Sequence, residues 1–267
     1  MNDLARRLPT TIGLLAFAYT VIEFLPLLPF TCLLFIIICL AAHELVRLCR
    51  PRIRSLPLMI ANGAVIGFAF LSPDMPLALA VATVVVSYGL FFLFAIRRQD
   101  ELESFVRDMG IHYLSSIYLF FPLFFIMALR RIDPHLLFFL IAVIAVGDSG
   151  AYFVGRAIGR TKIYPVASPK KSLQGLLAGV ITAGAAGWLT ISIFPLTVSI
   201  LKVVVSGALL GLVSQLSDPV ESLFKRAVGE KDSSALLPGH GGVLDRLDSY
   251  IFCAPALYFL AVYFWRL

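Results

Sequence analysis

The chain has 267 residues, of which 60% are hydrophobic and only 14% are charged, and its mean hydropathy is +0.92. Charged residues make up about 25% of ordinary soluble domains, so this composition excludes a soluble globular protein and indicates an integral membrane protein. The net charge of +6 requires no nucleic-acid partner, because basic residues collect at the cytoplasmic ends of membrane spans beside anionic lipid headgroups.

Apolar stretches near the ~20 residues that carry a helix across ~30 Å of hydrocarbon follow one another along the chain. The predicted fold class is therefore an all-α, polytopic integral membrane protein. We divide it into N-terminal transmembrane helices at residues 1–130 and a C-terminal transmembrane catalytic region with polar loops at residues 131–267, within one membrane domain. Nine spans are predicted, at residues 10–26, 28–46, 56–72, 76–96, 111–129, 134–155, 173–195, 199–217 and 250–266.

The loops between these spans predict the orientation through the excess of Lys and Arg in cytoplasmic loops. With the N-terminus in the cytoplasm, nearly all basic residues fall on the cytoplasmic side. The exceptions are Arg130, Arg131, Lys202 and Arg266. We therefore expect a protein integral to the cell (inner) membrane, with its polar loops in the cytoplasm.

One cytoplasmic segment, from Ser217 to Asp248, is far more charged than the rest of the chain. If the eighth helix continues to about Ala227, one of its faces carries a hydroxyl, two carboxylates and a lysine. Gly229 would then end that helix, and Leu244 would open the ninth, so that carboxylates from two helix ends share a pocket. Mg²⁺ prefers such hard oxygen ligands together with substrate phosphates. The residues that carry this argument are Ser214, which lies just before the segment, and Asp218, Glu221, Ser222, Lys225, Asp245 and Asp248 within it.

A second polar cluster extends from Gly147 to Gly175. Asp148 and Ser149 interrupt the sixth apolar span, where ionisable groups are costly and usually functional. The loop that follows carries four cations, which could hold a nucleotide triphosphate or a lipid phosphate. These cations are Arg160, Lys162, Lys170 and Lys171.

The two polar clusters resemble the sequence blocks of the phosphatidate cytidylyltransferases, the CDP-diacylglycerol synthases. The main block reads SLFKR at residues 222–226 and KDSSALLPGHGGVLDRLD at residues 231–248. The preceding block reads DSGAYF at 148–153, GRTK at 159–162 and SPKK at 168–171. The resemblance covers roughly residues 145–260, whereas the N-terminal half is similar mainly in hydropathy.

The resemblance implies an enzyme that joins phosphatidic acid to CTP, releasing pyrophosphate and CDP-diacylglycerol. It further implies Mg²⁺, with one or two metals and a monovalent cation left open, and membrane lipids and a homodimer as partners. The implied metal ligands are Asp218 and Asp245, with Asp248 and Asp148 as further metal partners. The implied catalytic and phosphate-binding residues are Asp218, Asp245, Lys225, Arg246, Arg226, Lys231, Asp232, His240, Gly241 and Gly242, together with Arg160, Ser168, Lys170 and Lys171 for nucleotide or headgroup.

Three positions depart from the pattern of that family. Gln174 stands where a glutamate is frequent, Leu173 where an aromatic residue is common, and Ser217 where a glycine is frequent. These differences leave open a paralogue that uses another lipid phosphate, such as an isoprenoid phosphate or an ether lipid.

Three other functions are alternatives to this one. An intramembrane serine protease could use the GDSG motif around Ser149, but it gives the aspartates and lysines no role. A transporter predicts polar residues in both leaflets, whereas these lie on one side. A CTP-dependent lipid kinase shares the setting and would release CDP, although the chain has no GxxxxGK[ST] motif.

Overall fold

The computed structural model describes residue 13 and residues 16–72, 74–194, 196–234 and 241–267. Among these described residues, in chain order, a helical segment at residues 16–24 precedes nine helices and one two-stranded hairpin. The elements are α1 (Leu27–Cys49), α2 (Leu56–Leu71), α3 (Leu77–Ala95), α4 (Gln99–Leu102), α5 (Phe105–Ile132), α6 (His135–Ile158), β1 (Lys162–Tyr164), β2 (Ser168–Ser172), α7 (Leu173–Ile193), α8 (Ile200–Ala227) and α9 (Leu244–Trp265).

The predicted all-α polytopic fold is confirmed. Within the described part of the chain, seven helices are long and apolar enough to cross a membrane, namely α1, α3 and α5 to α9. The apolar helix α2 is shorter, and the predicted first span lies partly outside the described residues. The count of nine spans and the orientation stay predictions.

Proline and serine residues fix where several helices begin. Pro26, Pro76 and Pro134 directly precede α1, α3 and α6, at positions where a missing backbone N–H costs no helical hydrogen bond. Ser55 and Ser172 cap α2 and α7 through their side chains, and the Ser172 hydroxyl accepts a hydrogen bond from Gly175 N at 3.3 Å. The hydrophobic run is thereby divided into separate helices.

Glycines allow α6, α7 and α8 to pack closely. A Cβ at Gly175 would lie 2.8 Å from the carbonyl oxygen of Ala151, and one at Gly211 would lie 2.5 Å from the Cβ of Ala183. Small residues let helix backbones approach where hydrocarbon supplies no hydrophobic drive for association. This contact brings Asp148 on α6 within reach of the polar face of α8.

Aromatic residues pack the N-terminal half against the C-terminal half. Phe35 on α1 and Phe70 on α2 both lie about 6 Å, centroid to centroid, from Phe124 of α5. On the same helix, Tyr118 packs edge-on against Phe224 of α8 and Phe252 of α9. Helix α5 therefore joins the first helices to the two that carry most of the candidate site.

Helix α8 runs past the apolar stretch to Ala227, as predicted, and Gly229 follows it with a left-handed φ of 78°. The loop predicted after α6 is instead an antiparallel hairpin, in which Lys162 pairs with Ser172 and Tyr164 with Ser168. The hairpin, the end of α8 and the start of α9 lie together, and we call this the polar end of the bundle.

Candidate active site

Carboxylates from α8 and α9 face each other at the polar end. The carboxyl groups of Asp218 and Asp248 lie within hydrogen-bonding reach of one another. Lys171 from β2 forms an ion pair with Asp218, with Nζ 2.8 Å from Oδ2. Two facing carboxylates repel unless a proton or a cation lies between them, so this pair has the electrostatics of a cation site.

Lys225 connects the same two helices one turn further along. Its ammonium group pairs with the buried Glu221 on α8 and donates a 2.7 Å hydrogen bond to Oδ1 of Asp245 on α9. A buried cation between two carboxylates is strongly held, because the loss of any one partner would leave a charge uncompensated in the interior. The predicted face of Ser214, Asp218, Glu221 and Lys225 is thus turned toward α9.

Asp148 reaches this centre from α6. Its Oδ1 accepts hydrogen bonds from Nε2 of Gln215 at 2.8 Å and from the Ser214 hydroxyl at 3.2 Å. Ser214 also lies 3.1 Å, oxygen to oxygen, from the hydroxyl of Ser249 on α9. Three helices are therefore joined by one polar network, in which the roles of Gln215 and Ser249 were not predicted from the sequence.

Asp245 is held by the chain segments on both sides of the glycine-rich turn. Its Oδ2 accepts hydrogen bonds from Ser233 N at 3.0 Å, from the Ser233 hydroxyl at 2.9 Å and from Gly242 N at 2.8 Å. With Lys225 on Oδ1, both oxygens already accept hydrogen bonds. In this arrangement Asp245 orders the site, and its role as a metal ligand stays a prediction.

Glu44, from the distant helix α1, completes this anchor. Its Oε1 accepts from the Ser234 hydroxyl at 2.6 Å and from Val243 N at 3.1 Å, while Oε2 accepts from Leu244 N at 2.9 Å and shares with Asp245 the hydrogen of the Ser233 hydroxyl, 3.0 Å away. The residue is only 5% exposed. A carboxylate on the first N–H groups of α9 is favourably placed in the field of that helix. In the sequence, the signal for such a buried polar contact was an acidic residue within an otherwise apolar stretch.

A polar cavity of about 670 Å³ lies between the hairpin, α6, α7 and α8. Asp148, Asp218 and Gln215 line one side of it. Its other lining residues include the cations Arg156, Lys162, Lys170 and Lys171, and also Ser168. Of these cations, Arg156 was not among the predicted site residues.

The remaining predicted residues lie at the margins of this centre or outside it. Gly241 has a left-handed φ of 79°, and His240 lies outside the described residues. Arg246 does not line the polar cavity and lies instead along an apolar groove. The side chains of Arg160, Arg226, Lys231 and Asp232 are exposed near the polar end.

Gln174 shows why one departure from the family pattern is compatible with the site. Its side-chain carbonyl oxygen accepts hydrogen bonds from the backbone N–H groups of Arg160 at 3.1 Å and Thr161 at 3.3 Å. An amide oxygen can make these contacts as a carboxylate oxygen would. The substitution therefore preserves the junction between α6 and the hairpin and removes one negative charge near its lysines.

The acidic side chains of the polar end are the candidate ligands for a metal ion. Among the described residues, there is no group of three or more His, Cys, Asp or Glu side chains already arranged around one point. Asp218 and Asp248 supply two facing oxygen ligands beside the polar network of Asp148. Mg²⁺ commonly takes one or two carboxylates and completes its shell with water and substrate phosphates, and the residues present fit that mode.

Ser149 has the surroundings of a structural serine. Its hydroxyl donates a 2.7 Å hydrogen bond to the carbonyl oxygen of Ala145 in its own helix. His112 and His135, both described, are engaged with Asp108 and Asp133 respectively. Among the described residues, no hydrogen bond joins the Ser149 hydroxyl to a histidine, so no serine nucleophile is paired with a histidine base there.

The fold and the site together define an integral membrane protein whose helices enclose a polar centre suited to phosphate groups and a divalent cation. The model of the cytidylyltransferase family matches residues 5–264, and the chain belongs to this family. It is accordingly an enzyme, a nucleotidyltransferase, and the transporter alternative is wrong.

Curated relatives extend over different shares of the chain. A protein of Bacillus subtilis named phosphatidate cytidylyltransferase is 31% identical over 280 residues, covering 99% of this chain and 100% of its own length. One of the same name from Staphylococcus haemolyticus is 31% identical over 69% of this chain and 68% of its own. Another from Synechocystis is 44% identical over 45% of this chain and 41% of its own.

Proposed function

We propose that this protein is a Mg²⁺-dependent phosphatidate cytidylyltransferase, which converts CTP and phosphatidic acid into CDP-diacylglycerol and pyrophosphate. Membership of the cytidylyltransferase family and the names of its relatives support the reaction class and the lipid substrate. The observation that carries the proposal is the cavity in which a cation-rich hairpin faces the carboxylates of Asp148 and Asp218. A nucleoside triphosphate and a divalent cation need these two groups of charges side by side.

In this proposal the hairpin binds the triphosphate of CTP. Lys162, Lys170 and Lys171 line one wall of the cavity, and Arg156 adds a fourth positive charge from α6. Lysine ammonium groups bind phosphate oxygens as point charges, and arginine can bind them with two parallel hydrogen bonds. Lys171, already beside Asp218, would bring the phosphates to the carboxylate pair.

The carboxylate pair would hold the metal. Asp218 and Asp248 are its proposed ligands, with Asp148 beside them. A bound Mg²⁺ supplies positive charge that lowers the repulsion between two anionic substrates and stabilises the departing pyrophosphate.

The reaction then requires positioning rather than a protein nucleophile. A phosphate oxygen of phosphatidic acid attacks the α-phosphorus of CTP, and the bond from that phosphorus to the bridging oxygen of the pyrophosphate group breaks. Lys225 is a fixed cation at the centre, because Glu221 and Asp245 hold it from both sides. Preorganised charges of this kind stabilise developing negative charge without rearrangement.

We place the polar end on the cytoplasmic side of the cell membrane, where CTP is available. Basic residues concentrate in the segments at this end, including Arg47, Arg50 and the hairpin lysines, which is the distribution expected of cytoplasmic loops.

The test is pyrophosphate release by the purified full-length protein in detergent with phosphatidic acid, CTP and Mg²⁺, omitting each in turn. We expect dependence on all three components and a CDP-lipid product. Release of CDP with a doubly phosphorylated lipid would refute the proposal in favour of the kinase. Turnover only with an isoprenoid phosphate or an ether lipid would refute the choice of acceptor.

A further inference from the structure

A second cavity, apolar and about 580 Å³ in volume, opens between the helical segment at residues 16–24, α1, α6 and the start of α9. We call it the apolar groove. Its walls include Ile37 on α1 and Leu140 on α6, and Tyr250 of α9 lies near its polar end. Arg246 is its one charged lining residue among those described.

The outer end of the groove is fixed by Arg130 of α5. The guanidinium group donates a 3.0 Å hydrogen bond from Nε to the carbonyl oxygen of Ile22 and another to that of Leu25. It also lies 4.5 Å from the ring centroid of Phe30. A cation bound to the carbonyl end of a helix stabilises that helix in apolar surroundings. Arg130 therefore holds the segment at residues 16–24 in place as one wall of the apolar groove.

The start of α9 contributes residues to both the groove and the candidate active site. Arg246 lies between Asp245, which binds Lys225, and Asp248, which faces Asp218. The first turn of α9 therefore carries side chains of both the groove and the polar centre. The groove then extends outward along α1 from Ile37 to Phe30, which is about 10 Å of helix axis.

Charge and polarity divide the two cavities. Four cations and two carboxylates line the polar cavity, whereas the groove offers hydrocarbon walls and one guanidinium group among the described residues. An occupant that matches the groove is an amphiphile with an anionic head and an apolar tail. Because lipid is already an apolar solvent, the tail alone gives little preference for the groove, and Arg246 must supply the selection.

We infer that the apolar groove binds one acyl chain of the phosphatidic acid acceptor, with its phosphate at Arg246, while the hairpin cations bind CTP. This inference rests on the proposed function. It assigns the cations to different substrates, with Arg246 at the phosphate of the acceptor and the hairpin cations at the triphosphate of CTP.

The first test is photolabelling of the full-length protein in phosphatidylcholine vesicles, without CTP. The probe is phosphatidic acid with a photoreactive diazirine in the middle of one acyl chain. We expect labels on the peptides that contain Ile37, Leu140 or Tyr250, and we expect excess unlabelled phosphatidic acid to remove them. Equal labelling of these peptides by a phosphatidylcholine probe would overturn the inference, because the groove would then hold ordinary boundary lipid.

A matched pair of variants tests the groove by kinetics. Ile37→Trp fills the groove, whereas Ile36→Trp places the same side chain on the neighbouring exposed position of α1. We expect Ile37→Trp to lose most of the specific labelling and to raise the KM for phosphatidic acid about tenfold or more. Ile36→Trp should behave as the unsubstituted protein in both assays. Equal effects of the two variants would overturn the inference.

Arg246→Gln and Lys170→Ala test the assignment of cations without filling the groove. Losing one charged hydrogen-bonding partner of a phosphate corresponds to roughly a tenfold change in affinity. We expect Arg246→Gln to raise the KM for phosphatidic acid and not that for CTP, and Lys170→Ala to do the reverse. The opposite pattern would refute the assignment. Specific labelling without turnover would refute the proposed function alone, and turnover without specific labelling would refute this inference alone.

Discussion

Glu44 provides the sharpest test of how the site is held together, because it lies on α1, far in sequence from the residues that it orders. In Glu44→Gln the shape is kept, but one carboxylate oxygen becomes an NH₂ group. Each oxygen of Glu44 accepts from one serine hydroxyl, which can rotate, and from one backbone N–H, which cannot. In either orientation of the amide, its NH₂ group faces the backbone N–H of Val243 or of Leu244, so that N–H is left without an acceptor.

The size of the effect follows from those contacts. A buried N–H without an acceptor costs about 1–3 kcal/mol, and the remaining bonds lose the extra strength of a charged acceptor, roughly 1 kcal/mol. The start of α9 should therefore be destabilised by about 2–4 kcal/mol. Because Asp245 is the second residue of that helix, we expect turnover to fall by roughly 10- to 100-fold, as small misplacements of catalytic groups do.

Two assays measure this effect. The first is turnover with CTP and phosphatidic acid. The second is the rate of trypsin cleavage after Lys231, which should rise because Ser233 and Ser234 lose part of their anchor. Glu103→Gln changes an exposed glutamate and is the control, for which both rates should stay unchanged. A Glu44→Gln protein with normal turnover and normal cleavage would refute the proposed anchoring.

Three further predictions concern the centre and its packing. Asp218→Asn should reduce turnover at least about 100-fold in a folded protein, because the proposed metal ion loses a charged ligand. Size-exclusion chromatography checks the fold. Near-normal activity would remove Asp218 from the proposed site. Lys225→Met should abolish activity and cost about 3–5 kcal/mol of stability, because it leaves two carboxylates without their cation. Adding Glu221→Gln should restore part of the thermal stability but no activity. Equal melting temperatures of the single and double variants would contradict this prediction. Gly211→Val should lower the melting temperature and the activity together, because even its Cβ would lie 2.5 Å from a neighbouring Cβ. The control is Gly89→Ala, at a position with open space around it, which should change neither quantity. A Gly211→Val protein with normal stability and activity would show that this close packing is dispensable.

The boundaries of the C-terminal helices could be predicted well from the sequence. Helix α8 was expected to run to about Ala227 with Gly229 as its end, and α9 to open at Leu244, and all three positions are confirmed. Local signals were sufficient there, because a glycine, a polar face and an apolar stripe each act within one or two turns. The hairpin was missed because its strands are short and polar and are stabilised by pairing with each other.

Pairings across the chain were harder to predict. Asp218, Asp245 and Asp248 were expected in one pocket, but their different surroundings depend on which side chains other helices bring. Lys171 reaches Asp218 from the hairpin, and Glu44 reaches the start of α9 across nearly 200 positions of sequence. Neither contact has a periodic signal in the sequence.

The sequence by itself determined that the protein lies in a membrane, that its fold is helical and that its site is polar and charged. Those properties follow from composition and from charges placed at membrane depth, where an ionisable group is too costly to be incidental. Only the tertiary structure decided that Asp245 is saturated with hydrogen bonds while Asp218 and Asp248 face each other. It also separated Arg246 from the cations of the polar cavity. The physical reason is that burial and hydrogen bonding depend on how the helices pack. The glycines of α6, α7 and α8 allow close packing, but their positions in the sequence do not reveal which side chains come together.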